Sequence, residues 1–275
     1  MRRRRATNLL LIVLAVYAVA AGLVWHFQRE LLYGSGDPVA ENIAPPGLNA
    51  VRFITEDGLT LYGWFKPPGE AKEIVVFFHG AQQSVADQWL RAQPLLTQGY
   101  GALLVEFRGY GGNPGDPSES GILLDARAAL NYVLASGINP SRIVLFGRAM
   151  GADVAVSTAL KTEVGALVLE TPFTSFADYW TARFPWLPFG FLLKDRFATI
   201  EKIGRVKAPI LILHGGRDPH VPIAQGRAVF EAAPAKKEAF FVDDAGDAEL
   251  FDRGATEAVL DFLERVMQPD GQNGV

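Results

Sequence analysis

The first apolar run of the chain is also its longest. Met1-Arg2-Arg3-Arg4-Arg5 is followed by an uncharged, mostly apolar stretch from Ala6 to Trp25, about the 20 residues a helix needs to cross a bilayer. Beyond it the pattern changes. Val51 to Thr55 and Leu59 to Phe65, separated by Asp57-Gly58, read as an opening β-hairpin. Short β-branched runs then alternate with longer stretches of helical periodicity. Strands are expected at Ile74 to Phe78, Ala102 to Phe107, Arg142 to Phe146, Ala166 to Leu169, Pro209 to Leu213 and Ala239 to Val242. Helices are expected at Val85 to Gln98, Glu119 to Ala135, Met150 to Lys161, Ile223 to Ala232 and Thr256 to Met267. Continuous apolar strands spaced by helices specify a mainly parallel sheet with helices on both faces, an α/β fold. Such sheets bind ligands at the carboxyl ends of their strands.

One segment interrupts the alternation. Between Phe173 and Phe197 stand nine aromatic residues, with Pro185 and Pro188 preventing any long helix. It reads as a cap, about residues 173–200, inserted into the sheet domain, its aromatics more cap core than pocket wall. The division is then a cytoplasmic arginine cluster and anchor over 1–28, a linker over 29–48, an α/β domain over 49–268 and a disordered polar tail over 269–275.

Charge sharpens the reading of the N-terminus. The whole chain carries a net charge of −4, but without Arg2 to Arg5 it has 22 basic against 30 acidic groups, a net −8. Such a body is a poor partner for a nucleic-acid backbone. The arginines should stay in the cytoplasm and place the rest on the other side of the membrane. Ala18-Val19-Ala20 resembles a signal-peptide cleavage site, which would give a secreted or periplasmic protein. The retained anchor is favoured, because the apolar run continues through Leu23, Val24 and Trp25, and a tryptophan suits the interface. The chain has no cysteine, so disulfides and thiolate metal sites are excluded.

The chemistry centres on Gly147-Arg148-Ala149-Met150-Gly151. This has the form of a G-x-S-x-G nucleophile elbow, a sharp strand-to-helix turn that lifts a serine Oγ into the site, with alanine at the serine position. A methyl group cannot attack a carbonyl. Four further signals follow strands in a telling order. His79-Gly80-Ala81 sits where an HG-type loop supplies a backbone N–H to an oxyanion hole, and Phe107-Arg108-Gly109-Tyr110-Gly111-Gly112 follows the next strand. Asp218 lies in the loop after a late strand, and Asp247 follows Gly246 after the last one.

Together these motifs resemble the alpha/beta-hydrolase superfamily, in particular its membrane-anchored abhydrolase domain-containing branch, often described as lysophospholipase-like or serine-aminopeptidase-like. The likeness runs from about Leu31 to Met267. It implies an alpha/beta-hydrolase fold, a serine–acid–histidine triad in chain order, an oxyanion hole, and ester, thioester or amide substrates. Carried over by position, the nucleophile place is Ala149, the acid is Asp218 and the histidine place is Asp247. The oxyanion donors would be the backbone N–H groups of Ala81 and Met150. Substrate-facing candidates are His79, Arg148, Phe173 and Trp180.

With two triad members replaced, the expectation is a protein of serine-hydrolase ancestry that cannot form an acyl-enzyme, since there is neither a proton to take nor an imidazole to take it. Two alternatives stand beside it: an ester hydrolase inactivated by substitution, and an enzyme working through the carboxylates of Asp218 and Asp247. If those two approach each other, one should have a raised pKa or a cation should lie between them, with His220 and Arg148 the nearby cations. The favoured reading is that Asp247 points into water. Ser84 is expected to cap a helix rather than attack, and His79 to brace the oxyanion loop. His26 belongs to the membrane boundary and Asp153 to the first turn of the elbow helix. Asp218, Asp247 and His220 show no metal-ligand spacing, so no metal and no cofactor is expected. The expected partners are the membrane, through the N-terminal helix, and an apolar or acyl small molecule. No sequence feature singles out a protein partner.

Overall fold

Two physical constraints set the architecture: the strands are apolar on both faces, and consecutive ones are too far apart in sequence to pair through tight turns. Strands of that kind must be parallel and covered on both sides. A computed structural model describes residues 2–34, 44–234 and 236–267. Its sheet has eight strands, β1 (Asn49–Ile54), β2 (Thr60–Lys66), β3 (Ile74–Phe78), β4 (Gly101–Val105), β5 (Ile143–Arg148), β6 (Ala166–Glu170), β7 (Ile210–Gly215) and β8 (Lys237–Val242). They lie in the order β1-β2-β4-β3-β5-β6-β7-β8. β1 and β2 form the expected antiparallel hairpin, β2 joins β4 antiparallel, and every later pairing is parallel. β3, β4, β5 and β6 are buried along essentially their whole length.

The covering helices are α2 (Val85–Thr97), α3 (Glu119–Ala135), α4 (Met150–Ala159), α8 (Ile223–Ala232) and α9 (Ala255–Val266). They split the core into two apolar clusters, one on each face of the sheet. Between β6 and β7 lies the cap, which holds three short helices, α5 (Phe176–Arg183), α6 (Phe189–Leu192) and α7 (Thr199–Lys202). Its aromatics divide as their exposure dictates. Phe173, Phe176 and Phe197 are core, whereas Trp186 and Phe191 stand exposed.

The N-terminal helix, α1 (Arg2–Tyr33), is long and apolar enough to cross a bilayer, with mean hydropathy 2.3 over its most apolar window. It also runs further than the expected anchor boundary at residue 28. Residues 29–33, assigned to a linker, are helix, and the physical reason is burial. Leu32 and Tyr33 pack into the core of the sheet domain. The carbonyl of Tyr33 accepts from the Tyr110 hydroxyl at 3.0 Å and from the Gln82 N–H at 3.2 Å. Arg29, which reads as a surface charge, pairs with Asp195 of the cap at 3.2 Å. Residues 35–43 of the linker and the tail from 268 lie outside the described residues.

Candidate active site

The elbow is built by two glycines whose side chains the packing forbids. A Cβ on Gly147 would lie 2.1 Å from the carbonyl oxygen of Gly151, and one on Gly151 would lie 2.0 Å from that of Phe78. β5 therefore turns directly into α4 with its first turn pressed on β3. Ala149 sits at the apex with φ 49° and ψ −108°, a backbone region that costs an L-residue roughly 1–3 kcal/mol. Its N–H donates to the Glu170 carbonyl at 2.9 Å, which fixes the turn to β6.

A cavity of about 370 Å³ opens above this apex. Ala149, Met150, Arg148, Ala81, Asp218, Asp247, Phe173 and Trp180 all line it, together with Gln82, Gln83, Tyr179, Arg183 and His220. Of the residues expected at the site only His79 lies off the wall. It is fully buried beneath it, its Nδ1 2.7 Å from the Gly80 carbonyl oxygen and its Nε2 3.0 Å from a Glu106 carboxylate oxygen. That is the bracing role expected of it, with a partner the motif did not reveal. Among the described residues no protein group accepts a hydrogen bond from the N–H of Ala81 or Met150.

Asp218 reaches the site from the loop after β7. Its Oδ1 accepts from the N–H groups of His220 and Val221 at 2.7 and 2.9 Å, and its side chain is 2% exposed. Burial pushes its pKa up, and the nearby charge of Asp247 pushes the same way against those two amide donors. His214 lies behind it, its Nε2 donating to the Val221 carbonyl at 2.9 Å and 3.9 Å from Asp218 Oδ2. Burial holds that imidazole below its ordinary pKa.

Asp247 does not point into water, contrary to the favoured expectation. Its side chain is 18% exposed, and Oδ2 accepts from Arg148 Nη2 at 2.5 Å. The reason is the charge below it. Arg148 Nε also contacts the buried carboxylate of Glu170 at 3.1 Å, and Arg91 from α2 grips that carboxylate with Nε at 2.5 Å and Nη2 at 2.6 Å. Two arginines and two carboxylates thus form one chain, Arg91–Glu170–Arg148–Asp247, of which Arg148 and Asp247 reach the cavity wall. An arginine buried beside one carboxylate is best satisfied by a second, so Arg148 draws Asp247 inward. Glu170 and Arg91 were not among the expected site residues. The available signal was a glutamate closing the apolar strand Ala166 to Leu169.

The remaining expectations separate cleanly. Ser84 is the N-cap of α2, where its N–H and hydroxyl both donate to Asp87 Oδ2, at 2.8 and 3.2 Å. Asp153 is more than a dipole partner. It is buried and accepts from Lys202 Nζ at 2.6 Å and Thr199 Oγ1 at 3.2 Å, tying α7 to the elbow helix. His220 is exposed beside the cavity mouth. Among the described residues no three His, Asp or Glu side chains gather as a metal site would need.

The strand order, the elbow after β5 and the acid after β7 together match one known architecture. Residues 69–200 match the serine aminopeptidase S33 hydrolase family. An uncharacterized protein of Mycobacterium tuberculosis (strain CDC 1551 / Oshkosh) is 38% identical over 275 residues, 96% of each chain. The chain belongs to the alpha/beta-hydrolase superfamily. The Arabidopsis thaliana alpha/beta hydrolase domain-containing protein WAV2 is 29% identical over 80% of each chain. Among solved structures, an esterase of Pyrococcus furiosus superposes with a TM-score of 0.68 at 23% identity, covering 85% of this chain and 98% of its own. That likeness is one of fold. In this alpha/beta-hydrolase, Ala149 stands at the apex of the turn and Asp247 pairs with Arg148 beside it.

Proposed function

We propose that this is a membrane-tethered alpha/beta-hydrolase-fold protein that binds an apolar or acyl small molecule above Ala149 without forming an acyl-enzyme through the usual serine. The observation that carries the reading is the Arg148–Asp247 ion pair on the cavity wall beside the methyl group of Ala149. With no hydroxyl at residue 149 and a cation-bound carboxylate at 247, the apex lacks the serine nucleophile and the imidazole base that a triad needs. The N–H groups of Ala81 and Met150, which find no protein acceptor among the described residues, would be the oxyanion-hole donors, a role that needs no particular side chain. An oxyanion hole and binding alone leave roughly 10³ to 10⁴-fold acceleration over water, too little for turnover of a stable ester. The apolar face of α1, with Leu9 through Val16 exposed, supports a retained membrane span, and the arginine cluster supports a cytoplasmic N-terminus.

Fluorophosphonate labelling tests the proposal directly. The chain should remain unlabelled and turn over short p-nitrophenyl esters at background rate; labelling at the cavity would overturn it. An Ala149→Ser, Asp247→His double replacement that turns over those esters would show that the cavity still accepts an acyl group. A stable, folded double replacement without turnover would count against the acyl part of the reading. The burial of Asp218 favours one second reading, a reaction in which Asp218 and Asp247 act as general acid and base. Its signature would be a pH-dependent turnover abolished by Asp218→Asn.

A further inference from the structure

A second cavity, of about 260 Å³, lies between α1 and the cap. Val24, Gln28, Leu31 and Leu32 line it from the helix, and Trp180, Phe184, Leu187 and Phe189 face them from the cap. Its accessible wall is wholly apolar. It shares Leu32 and Trp180 with the wall of the cavity above Ala149, so the apolar chamber and the polar one adjoin at those two side chains.

With Trp25 at the interface, the chamber wall from Val24 to Leu32 begins at that level, and the cap tip, whose Trp186 also lines the chamber, reaches deeper. The Tyr17 hydroxyl donates to the Trp186 carbonyl at 3.0 Å. Tyr17 precedes the interfacial Trp25 by eight residues, about 12 Å along a helix axis, so the tip of the cap lies alongside the apolar span rather than above it. The composition of that tip agrees. Phe184 to Leu193 contains no charged residue, and Trp186 and Phe191 are 58% and 93% exposed. Charges resume on either side, at Arg183 and Lys194, and Lys194 Nζ lies 4.1 Å over the Trp25 ring. Two aromatics at this exposure are costly in water and favourable in hydrocarbon, while flanking cations suit lipid phosphates.

The geometry points to an acyl-chain slot: a single-chain amphiphile enters from the bilayer between α1 and the cap, lays its hydrocarbon chain against Leu31, Leu187 and Phe189, and presents its polar end above Ala149. This deepens the ligand-binding reading given above and rests on it. The anchor helix is then part of the binding site as well as a tether, and the cap tip is the door through which ligand reaches it without crossing water.

The test uses the full chain in phosphatidylcholine nanodiscs, with palmitoyl-lysophosphatidylcholine carrying a diazirine at the chain terminus. Adducts are expected on 24–32 and 180–193, with unlabelled lysolipid in tenfold excess reducing them at least fivefold. Val24→Trp and Leu31→Trp, which fill the slot from a helix that tolerates bulk, should each cut the adducts by a similar factor, whereas Leu9→Trp should not. Adducts spread along Leu9 to Leu23 without competition, or unchanged in both filling variants, would overturn the slot. If the slot stays unlabelled while the Ala149→Ser, Asp247→His protein turns over short soluble esters, the slot fails and the cavity reading stands. If the slot labels as expected while fluorophosphonate also labels the unaltered chain, the slot stands and the inactive-site reading fails.

Discussion

The two halves of the site respond to different constraints. The backbone half, the elbow and the loop at Gly80-Ala81, keeps the form of a working hydrolase. The side-chain half joins Arg148, Asp247 and Glu170, with Arg91, in an ion-pair chain beside Ala149. The elbow glycines are held by contacts near 2 Å that any Cβ would make with neighbouring backbone. Those contacts come from packing α4 onto β3 and do not depend on whether a hydroxyl stands at the apex. The side chains at 149, 218 and 247 are under no such restraint from neighbouring backbone, although they line the cavity. Under the proposed reading the scaffold outlasts the chemistry it aims, and glycines alone report the turn rather than the activity.

The comparison breaks most readily at Glu170. If the ion-pair chain holds the side-chain half together, Glu170→Ala leaves the Arg91 and Arg148 guanidiniums facing each other across a hole, and should cost about 3–5 kcal/mol of stability. Urea denaturation checks it, and a loss below 1 kcal/mol would mean the network is incidental. On the backbone side, Gly147→Ala forces a methyl against the Gly151 carbonyl and should cost about 3 kcal/mol. A neutral result there would show that the elbow is as free to change as the side chains. The apex itself supplies a third, smaller test. Ala149→Gly removes the positive-φ strain and should stabilise by about 1 kcal/mol, seen as a higher denaturation midpoint with unchanged slope.

The same division explains what the sequence disclosed. Strands β3 to β7 were legible because a doubly covered strand must be apolar throughout, and α8 was legible to the residue. The elbow was legible because sterics leave glycine no substitute. The ion-pair chain was not: Arg91 and Glu170 are 79 positions apart, and nothing in either neighbourhood marks the other. Without that pair beneath it, Arg148 gives no reason for Asp247 to turn inward. The C-terminal end of α1 was misread for a related reason. Arg29 and Glu30 look like the end of a membrane helix, but Arg29 answers Asp195, and the helix continues until Tyr33 is buried. α6 and α7 are single turns held by cap packing and proline-bounded loops, too short to leave a periodic signal.

The most delicate test of the side-chain half is its pH dependence, because two buried groups oppose each other. Burial raises the Asp218 pKa above its ordinary 3.8, so its folded form resists ionisation. That penalty is absent below the ordinary value and fully present above the raised one, so this group's contribution to stability declines as pH rises through the interval. His214 is shifted the other way, held below 6.5 by burial. As pH falls below 6.5 the unfolded chain takes up a proton that the folded imidazole refuses, and stability is lost. Wherever the two intervals overlap, the slopes partly cancel. Asp218→Asn removes one of them. It should be more stable than the parent at pH 7 by about 0.5–2 kcal/mol, and the gap should close toward pH 4 as the parent's carboxyl becomes protonated. A gap that widened on acidification would mean that Asp218 is stabilised as a carboxylate, as in a working triad, and would return the side-chain half of the site to the condition of the backbone half.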